Sequence, residues 1–554
     1  VLLIAFDKVI PKKLYPLAVF VIAISLLYHT SLISMYIWGW DIHTEYFTAS
    51  LVKTSSYWNY SYAFSNVNAV LSIVMLAPIF SNICGLSITW AFKIIYPFLF
   101  SLVPLGLYQV FKKQTDEKIA FLSCFFFVSI FNFYGEMLAL ARQQIAELFF
   151  VLLILLMVDK HADKIKRSFL FIVFGVSLAV SHYALSYIYM FSLIAAWLLL
   201  VLAEKPEIQK LMNNFYSKFG RKREKLAGNP SSLKIKKEDR TIRSTFVLLF
   251  ITFTLAWYMN LSSSSAFISI VHIGDHIASS IFTEFLSAET AEGLRIITTK
   301  TVSPLHTVPK YLHLTTQFFI SVGVLTLLLK RSEMKFKKEY VAFTVVSFVI
   351  CFAAIAVPHF ASSIATTRLY HITLFFLAPF CVIGGITVFR MVHRVVKTSW
   401  KNQREISSLK VLSLFLAIFF LFNSGWIYEV AKDNPTSIAL NSTIDYPRFN
   451  NQEVLGAKWL HGVKGSNPLY ADGYRRLLLS SFEWGQLKTF PVGVDKIQDN
   501  TYMYFGNLNI KKKEVLLVDV KSARRVTREY INSSQIVDGR NQIYNNGGAQ
   551  VYYR

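Results

Sequence analysis

The amino-acid sequence predicts an α-helical protein that crosses a membrane many times and carries a small α/β domain at its C-terminal end. Composition is the first observation: 54% of the 554 residues are hydrophobic and 16% are charged, whereas a soluble protein carries about 25% charged residues. The second is that long apolar stretches recur up to residue 430 and then stop. A soluble enzyme, a disordered chain and a disulfide scaffold are therefore excluded as descriptions of the whole chain.

Eleven membrane spans are predicted. Lipid offers no hydrogen-bond partner to the backbone, so a segment that crosses the bilayer must be a helix of about 20 apolar residues, in which the backbone groups bond to one another. The spans lie near 15–37, 88–111, 118–135, 140–158, 168–182, 185–203, 244–262, 311–329, 340–357, 367–389 and 410–430. The apolar segment 66–87 is broken by Pro78 and closed by Gly85. We interpret it as a juxtamembrane helix within a first external loop, 38–87.

The net charge of +24 is explained by orientation in a cell membrane. With these spans the basic loops fall on one side, which the positive-inside rule makes cytoplasmic. The largest of them, 204–243, suits anionic lipid and lacks the interleaved aromatic residues of a nucleic-acid site. The N-terminus is therefore expected in the cytoplasm, and the loop 263–310 and the tail 431–554 outside.

The tail is predicted to be a separate external α/β domain that follows the membrane domain 1–430. Gln452–Gly462 reads as a helix, Pro468–Ala471 as a strand followed by a helix after Gly473, and Glu514–Val520 as a buried strand. Asn541–Tyr544 and Gln550–Tyr553 flank the turn sequence Asn-Asn-Gly-Gly, which is typical of a hairpin.

The first external loop opens with three titratable residues, Asp41, His43 and Glu45, directly after span one. A carboxylate at a membrane surface can accept a proton from an acceptor hydroxyl. The alternative chemical role is a divalent metal site, for Mg²⁺ or Mn²⁺, formed by Asp41, His43 and Glu45. A solvated loop that ends the helix is the structural alternative.

Polar residues at the external ends of later spans are candidates for substrate binding. Arg142 and Gln143 could hold a phosphate or a sugar hydroxyl, or form a capping cluster with Glu136, Gln144 and Glu147. His182 could bind phosphate or assist a metal at Asp41, or simply belong to a polar turn. The loop 263–310 is expected to hold a surface helix that covers a cavity, with His272, Asp275 and His276 as weaker metal candidates and His306 as a weaker alternative to His182.

The acidic first loop, followed by juxtamembrane helices, resembles the GT-C glycosyltransferases that use polyprenyl-phosphate sugars, such as protein O-mannosyltransferases and aminoarabinose transferases. The sequence is also similar to archaeal multi-spanning membrane proteins of that general type. The resemblance implies that Asp41 is the catalytic base, that Glu45 takes the second acidic place and that Arg368 binds the donor phosphate. In the family the two acids are often adjacent, whereas here Ile42, His43 and Thr44 separate them. Arg368 could instead be an interfacial arginine that reaches toward water.

The resulting hypothesis is an enzyme of the cell envelope. It would transfer a sugar from a polyprenyl-phosphate donor in the bilayer to an external glycan, lipid or protein acceptor, in one inverting displacement. The alternative is a transporter or flippase of a lipid-linked saccharide. A transporter would place ionisable residues at mid-membrane, whereas the polar groups here gather at the external ends of the spans. An anchor for the tail would not need eleven spans.

Overall fold

The computed structural model describes residues 1–6, 9–61, 66–159, 163–219, 241–262, 265–329, 334–361, 364–399, 408–482, 486–491, 497–521 and 525–553. Most of these residues are helical, and a small sheet domain follows the helices, so the predicted fold class is confirmed. Much of the predicted cytoplasmic loop 204–243 lies outside the described residues.

Eight helices in the described ranges are long and apolar enough to cross a membrane. They are Lys12–Ser31, Ile88–Gln114, Ala141–Val158, Tyr183–Leu202, Ser244–Leu261, Pro304–Leu328, Lys338–Ala356 and Thr366–Val395. A ninth is added if Glu117–Val128 and Phe131–Ala139, which meet at an angle of 64°, count as one span.

By length and composition, nine of the eleven predicted spans meet this test if the bent pair counts as one span. The other two predicted spans are present as helices, Lys164–Ser181 and Ser408–Asn423. The first of these carries three basic residues in its first turn, and the second has only 16 residues. A continuous span was expected over 118–135, but the helix breaks near Ile130.

Short helices lie between the longer ones. The loop 38–87, which is predicted to be external, contains Ile42–Ser55, Leu71–Val74 and Leu76–Ile83, so the segment 66–87 forms short helices rather than a span. Others are Leu2–Ala5, Pro206–Phe219, Ser265–Ser280, Glu292–Thr298 and Trp426–Ala431.

Two helices, Pro304–Leu328 and Thr366–Ser399, cross at unusually close range. The Cα of Gly384 lies so near the backbone of the other helix that an added Cβ would be 1.8 Å from the carbonyl oxygen of Phe319. An added Cβ on Gly323 would be 2.1 Å from the carbonyl oxygen of Phe380. Glycine at both positions lets the two backbones touch, as at other helix crossings in membranes.

The C-terminal domain is built on a five-stranded sheet. Its strands are β1 (Leu469–Ala471), β2 (Leu487–Thr489), β3 (Tyr502–Phe505), β6 (Asn541–Asn545) and β7 (Gln550–Tyr553), and they lie in the order β2-β1-β3-β7-β6. Strand β1 pairs in parallel with β2 and β3, whereas β7 is antiparallel to β3 and β6. The predicted hairpin is therefore confirmed.

A second, two-stranded sheet joins β4 (Glu514–Lys521) to β5 (Arg525–Asn532). Four helices complete the domain: Asn451–Val463, Arg475–Leu479, Asn507–Lys512 and Ser534–Val537. One face of the larger sheet buries Leu469, Ala471 and Val551 with the first helix, and the other face buries Tyr470, Met503 and Phe505 with residues of β4. The predicted helix at 452–462 and the predicted strands at 468–471 and 514–520 are confirmed.

Candidate functional site

Asp41 and Glu45 lie one helical turn apart at the start of the helix Ile42–Ser55. Asp41 is the residue that begins the helix, and the backbone N–H of Glu45 donates to its carbonyl oxygen at 3.2 Å. A separation of four residues places two side chains on one face of a helix. The two carboxylates therefore point the same way although three residues separate them in sequence.

Arg142 binds both carboxylates. Its Nη2 donates to Oδ2 of Asp41 at 2.7 Å, and its Nη1 forms an ion pair with Oε1 of Glu45. The backbone N–H of Arg142 also donates to Oε2 of Glu45 at 3.3 Å. The Glu45 side chain is fully buried, whereas 46% of the Asp41 side chain is exposed. Only Asp41 of the two can therefore meet a substrate directly.

The two carboxyl groups titrate differently because their surroundings differ. Burial acts to raise the pKa of Asp41, but the neighbouring charges of Arg142 and Arg368 outweigh it and hold the pKa below its ordinary value. Burial raises the pKa of Glu45 to about 7; Arg142 opposes this rise, and the negative charge of Asp41 adds to it. Asp41 is therefore ionised at neutral pH, while Glu45 titrates near neutrality.

Arg368 and His182 lie at the same site. The charge of Arg368 acts on both Asp41 and His182, and that of Arg142 acts on His182 as well. Within the described part of the chain the Arg368 side chain has no hydrogen bond or ion pair, and the residue is partly exposed. His182 is buried, and its Nδ1 accepts from the N–H of Leu185 at 3.0 Å, which caps the helix Tyr183–Leu202. The guanidinium of Arg368 is thus available to a ligand, whereas Nδ1 of His182 is already occupied by the helix-capping hydrogen bond.

Gln143 does not join this cluster. Its Nε2 donates to Oε1 of Glu147 at 2.8 Å, and the other oxygen of Glu147 lies 3.0 Å from Nε2 of His371. All three side chains are buried. The prediction that Gln143 holds a substrate has no support in this position, because its amide is committed to a neighbouring side chain inside the bundle.

The structure does not gather Asp41, His43 and Glu45 into a metal site. His43 faces the other way, with Nδ1 2.7 Å from Oγ of Ser481, and both carboxylates are bound by Arg142. In the described ranges no group of three or more His, Cys, Asp or Glu side chains could hold a metal ion. The weaker candidates His272, Asp275 and His276 therefore do not form such a group either. Two arginines beside Asp41 favour an anion over a divalent cation.

A cavity of about 670 Å³ lies beside Glu136, which the charge of Arg368 also reaches. The segment 293–301 forms one wall, so part of the loop 263–310 does cover a cavity, as expected. Its charged lining residues are Glu136, Arg295, Lys300 and Lys310. A smaller apolar pocket of about 170 Å³ shares residues Gln317, Ile355, Thr366 and Tyr370 with it. His306, the weaker candidate, lies elsewhere and pairs with Asp433.

Two sets of contacts at this site were not predicted from the sequence. Thr367 donates to Glu136 at 3.1 Å, and the Arg142 guanidinium lies 5.6 Å from the centre of the Tyr183 ring. The C-terminal domain also contacts the first loop, through Ser481 and Tyr446. No local pattern could have found these last contacts, since about 400 residues separate the partners.

Comparison with known proteins gives a family and several solved structures. The family model described as "Predicted membrane protein (DUF2206)" matches residues 167–552. No curated protein matches the sequence. Among solved structures, ArnT from Cupriavidus metallidurans bound to undecaprenyl phosphate has a TM-score of 0.49 at 9% identity, covering 97% of each chain.

The apo oligosaccharyltransferase of Archaeoglobus fulgidus has a TM-score of 0.47 at 11% identity, covering 94% of this chain and 74% of that chain. The same enzyme tethered to an acceptor peptide has a TM-score of 0.43 at 12% identity. None of these TM-scores reaches 0.5. The fold is therefore defined by the helices and strands of this chain itself.

Proposed function

The chain belongs to the family described as "Predicted membrane protein (DUF2206)", and for this member we propose a membrane glycosyltransferase that takes its sugar from a polyprenyl-phosphate donor. The acceptor would be a hydroxyl-bearing glycan, lipid or protein on the external face. The observation that carries the proposal is the half-exposed carboxylate of Asp41, fixed by Arg142 and lying near the unpaired guanidinium of Arg368.

Asp41 acts as the general base. It takes the proton of the acceptor hydroxyl while that oxygen attacks the anomeric carbon and the bond from carbon to the phosphate oxygen breaks, releasing polyprenyl phosphate. Glu45 is fully buried, and its ion pair with Arg142 holds that arginine in place. Because Glu45 cannot reach the sugar, no second carboxylate of this pair is available as a nucleophile. A single displacement with inversion follows.

The charges and shape of the site suit a lipid-linked phosphate. Arg368 offers a planar fork of donors that matches a phosphate group. The larger cavity adds three basic side chains and several amides and hydroxyls, which suit a sugar head group. The apolar pocket that joins it lies between spans and suits the first units of an isoprenoid chain. Polar and apolar spaces that share a wall are what an amphiphilic donor needs.

The test is a transfer assay with the Asp41→Asn variant. The full chain in proteoliposomes is given a panel of dolichyl- and undecaprenyl-phosphate sugars, and released polyprenyl phosphate is measured. Asparagine keeps the shape but cannot accept the proton, so turnover should fall by about 10²–10⁴-fold while binding of undecaprenyl phosphate is kept. Glu45→Gln should cost less.

Full activity in both variants would remove the proposed role of this loop. Normal turnover in Asp41→Asn together with an inactive Glu45→Gln would assign the base to Glu45 instead.

A second candidate function is transport of a lipid-linked saccharide. The buried pair of Glu147 and His371 within the helix bundle favours it, because ionisable residues inside a membrane often mark a pathway. Both residues, however, lie within the first two turns of their helices, near the predicted external end. Movement of a fluorescent lipid-linked saccharide across proteoliposomes, without release of polyprenyl phosphate, would select transport over transfer.

A further inference from the structure

The loop that carries Asp41 is bound on one side by the C-terminal domain. The Oγ of Ser34 donates to the carbonyl oxygen of Phe449 at 3.0 Å, and the N–H of Gly39 donates to that of Pro447 at 2.9 Å. These two hydrogen bonds hold the segment that leads to Asp41 against residues 447–449.

An aromatic contact lies directly before Asp41. The ring of Trp40 lies 5.7 Å from that of Tyr446 and 5.3 Å from that of Tyr474, and its Nε1 donates to the Tyr446 hydroxyl at 3.3 Å. Tyr446 and Tyr474 both belong to the C-terminal part of the chain. The residue beside the candidate base is therefore packed against that part.

The third contact lies two residues after Asp41. The Nδ1 of His43 and the Oγ of Ser481 share a hydrogen bond of 2.7 Å, and the His43 ring packs on Phe449 at 5.5 Å between ring centres. His43 and Ser481 are both buried, with 1% and 7% of their surface exposed. Burial lowers the pKa of His43 to about 3, with the Gly39 backbone opposing the shift, so this ring is neutral and the bond does not titrate near pH 7.

We propose that Ser481, acting through His43, is a positioning residue for Asp41, so that the C-terminal domain completes the site of the transfer reaction. The inference rests on the proposed function, in which Asp41 is the base. Asp41 and His43 share the first turn of one helix, so a shift of His43 moves the Asp41 carboxylate. A base must be held to within about 0.5 Å, and a side chain on a loop needs supporting contacts for that.

The test compares Ser481→Ala with Ser480→Ala. Ser480 is the adjacent residue and caps the helix Arg475–Leu479, where its hydroxyl donates to the carbonyl oxygen of Leu477 at 2.7 Å. Ser481→Ala should lower kcat about five- to tenfold, as expected for a lost buried hydrogen bond, with the KM for the donor unchanged. Hydrogen exchange of residues 38–46 should become faster. Ser480→Ala should change neither quantity.

A rescue experiment separates positioning from general packing. His43→Asn keeps a polar atom at the place of Nδ1 and should retain most of kcat, whereas His43→Leu should behave like Ser481→Ala. Unchanged exchange of residues 38–46 in Ser481→Ala would overturn the inference, as would equal losses in Asn and Leu variants. Absence of any transfer by the unmodified protein would refute the proposed function, and the exchange measurement would still decide whether Ser481 holds the loop.

Discussion

At the scale of single residues, two carboxylates bound by one arginine have different surroundings. Asp41 faces solvent and is kept ionised by two arginines, whereas Glu45 is enclosed and holds its proton more tightly. Two acids in different environments commonly divide the work of a site. In the proposed reaction the exposed acid would contact substrate, while the buried acid holds Arg142 in its orientation.

The raised pKa of Glu45 predicts a pH-dependent stability. The folded protein binds this proton more tightly than the unfolded chain, whose ordinary Glu pKa is 4.5, so stability falls as the pH rises from about 4.5 to 7. The melting temperature in detergent should decline between pH 5 and 7.5. Glu45→Gln, which has no proton to lose, should show a flatter profile.

A matched control for that measurement is Glu429→Gln, at an exposed position. It should reproduce the slope of the unmodified protein. A slope that is the same in Glu45→Gln and in the unmodified protein would show that Glu45 does not titrate in this range.

The sequence indicated Asp41, Glu45, Arg142, His182 and Arg368 because charged or polar residues at the ends of apolar helices are conspicuous. It could not indicate how they pair. Arg142 and Gln143 are neighbours in sequence, but successive helical residues point about 100° apart. One therefore faces Asp41 and the other Glu147.

At the scale of helices and strands, the spans and the terminal hairpin were predictable because their patterns are local. The bend between Glu117–Val128 and Phe131–Ala139 was not, since neither Pro nor Gly marks the residues between them. That bend places Ala139 against Gly39 of the first loop and Glu136 beside the cavity. The shape of the site therefore depends on a bend between two helices that the sequence did not indicate.

The close crossing at Gly384 predicts a sharp stability effect. In Gly384→Ala the new methyl group would meet the carbonyl oxygen of Phe319 and the nitrogen of Gly323, both of them backbone atoms. The helices would have to separate, at a cost of about 1–3 kcal/mol. The measurement is the thermal unfolding of the purified variant in detergent.

Gly274→Ala serves as its control. Gly274 lies within the helix Ser265–Ser280, and no neighbouring atom of the described residues lies within 4 Å of the position a Cβ would take. Alanine favours a helix over glycine by about 1 kcal/mol, so this variant should be neutral or slightly more stable. Gly384→Ala with an unchanged melting temperature would contradict the crossing.

At the scale of the whole molecule, contact between the first loop and the C-terminal domain requires both to lie on the same side of the membrane. The distribution of basic residues predicts that this side is external. The orientation was predictable because it depends on the charges of the loops. The contact was not predictable, because its partners lie about 400 residues apart in the sequence.

The orientation is tested by labelling with a membrane-impermeant maleimide in intact cells. In a Cys84→Ser background, Ser466→Cys in the C-terminal domain should be labelled directly, because Ser466 is exposed. Lys205→Cys, in the predicted cytoplasmic loop, should be labelled only after permeabilisation. The reverse pattern would place Asp41 in the cytoplasm and exclude an external acceptor.

The bond between Ser34 and Phe449 spans 415 positions of the chain, and this has a consequence for biosynthesis. A ribosome adds about 5–20 residues per second, so the Asp41 loop is made roughly 20–80 s before the segment that holds it. During that interval a nascent chain can already lie in the bilayer while the loop that carries Asp41 lacks its contact with the C-terminal domain. The proposed transfer activity would then begin only after Phe449 has been made and folded against Ser34, which keeps unfinished copies from acting on substrate.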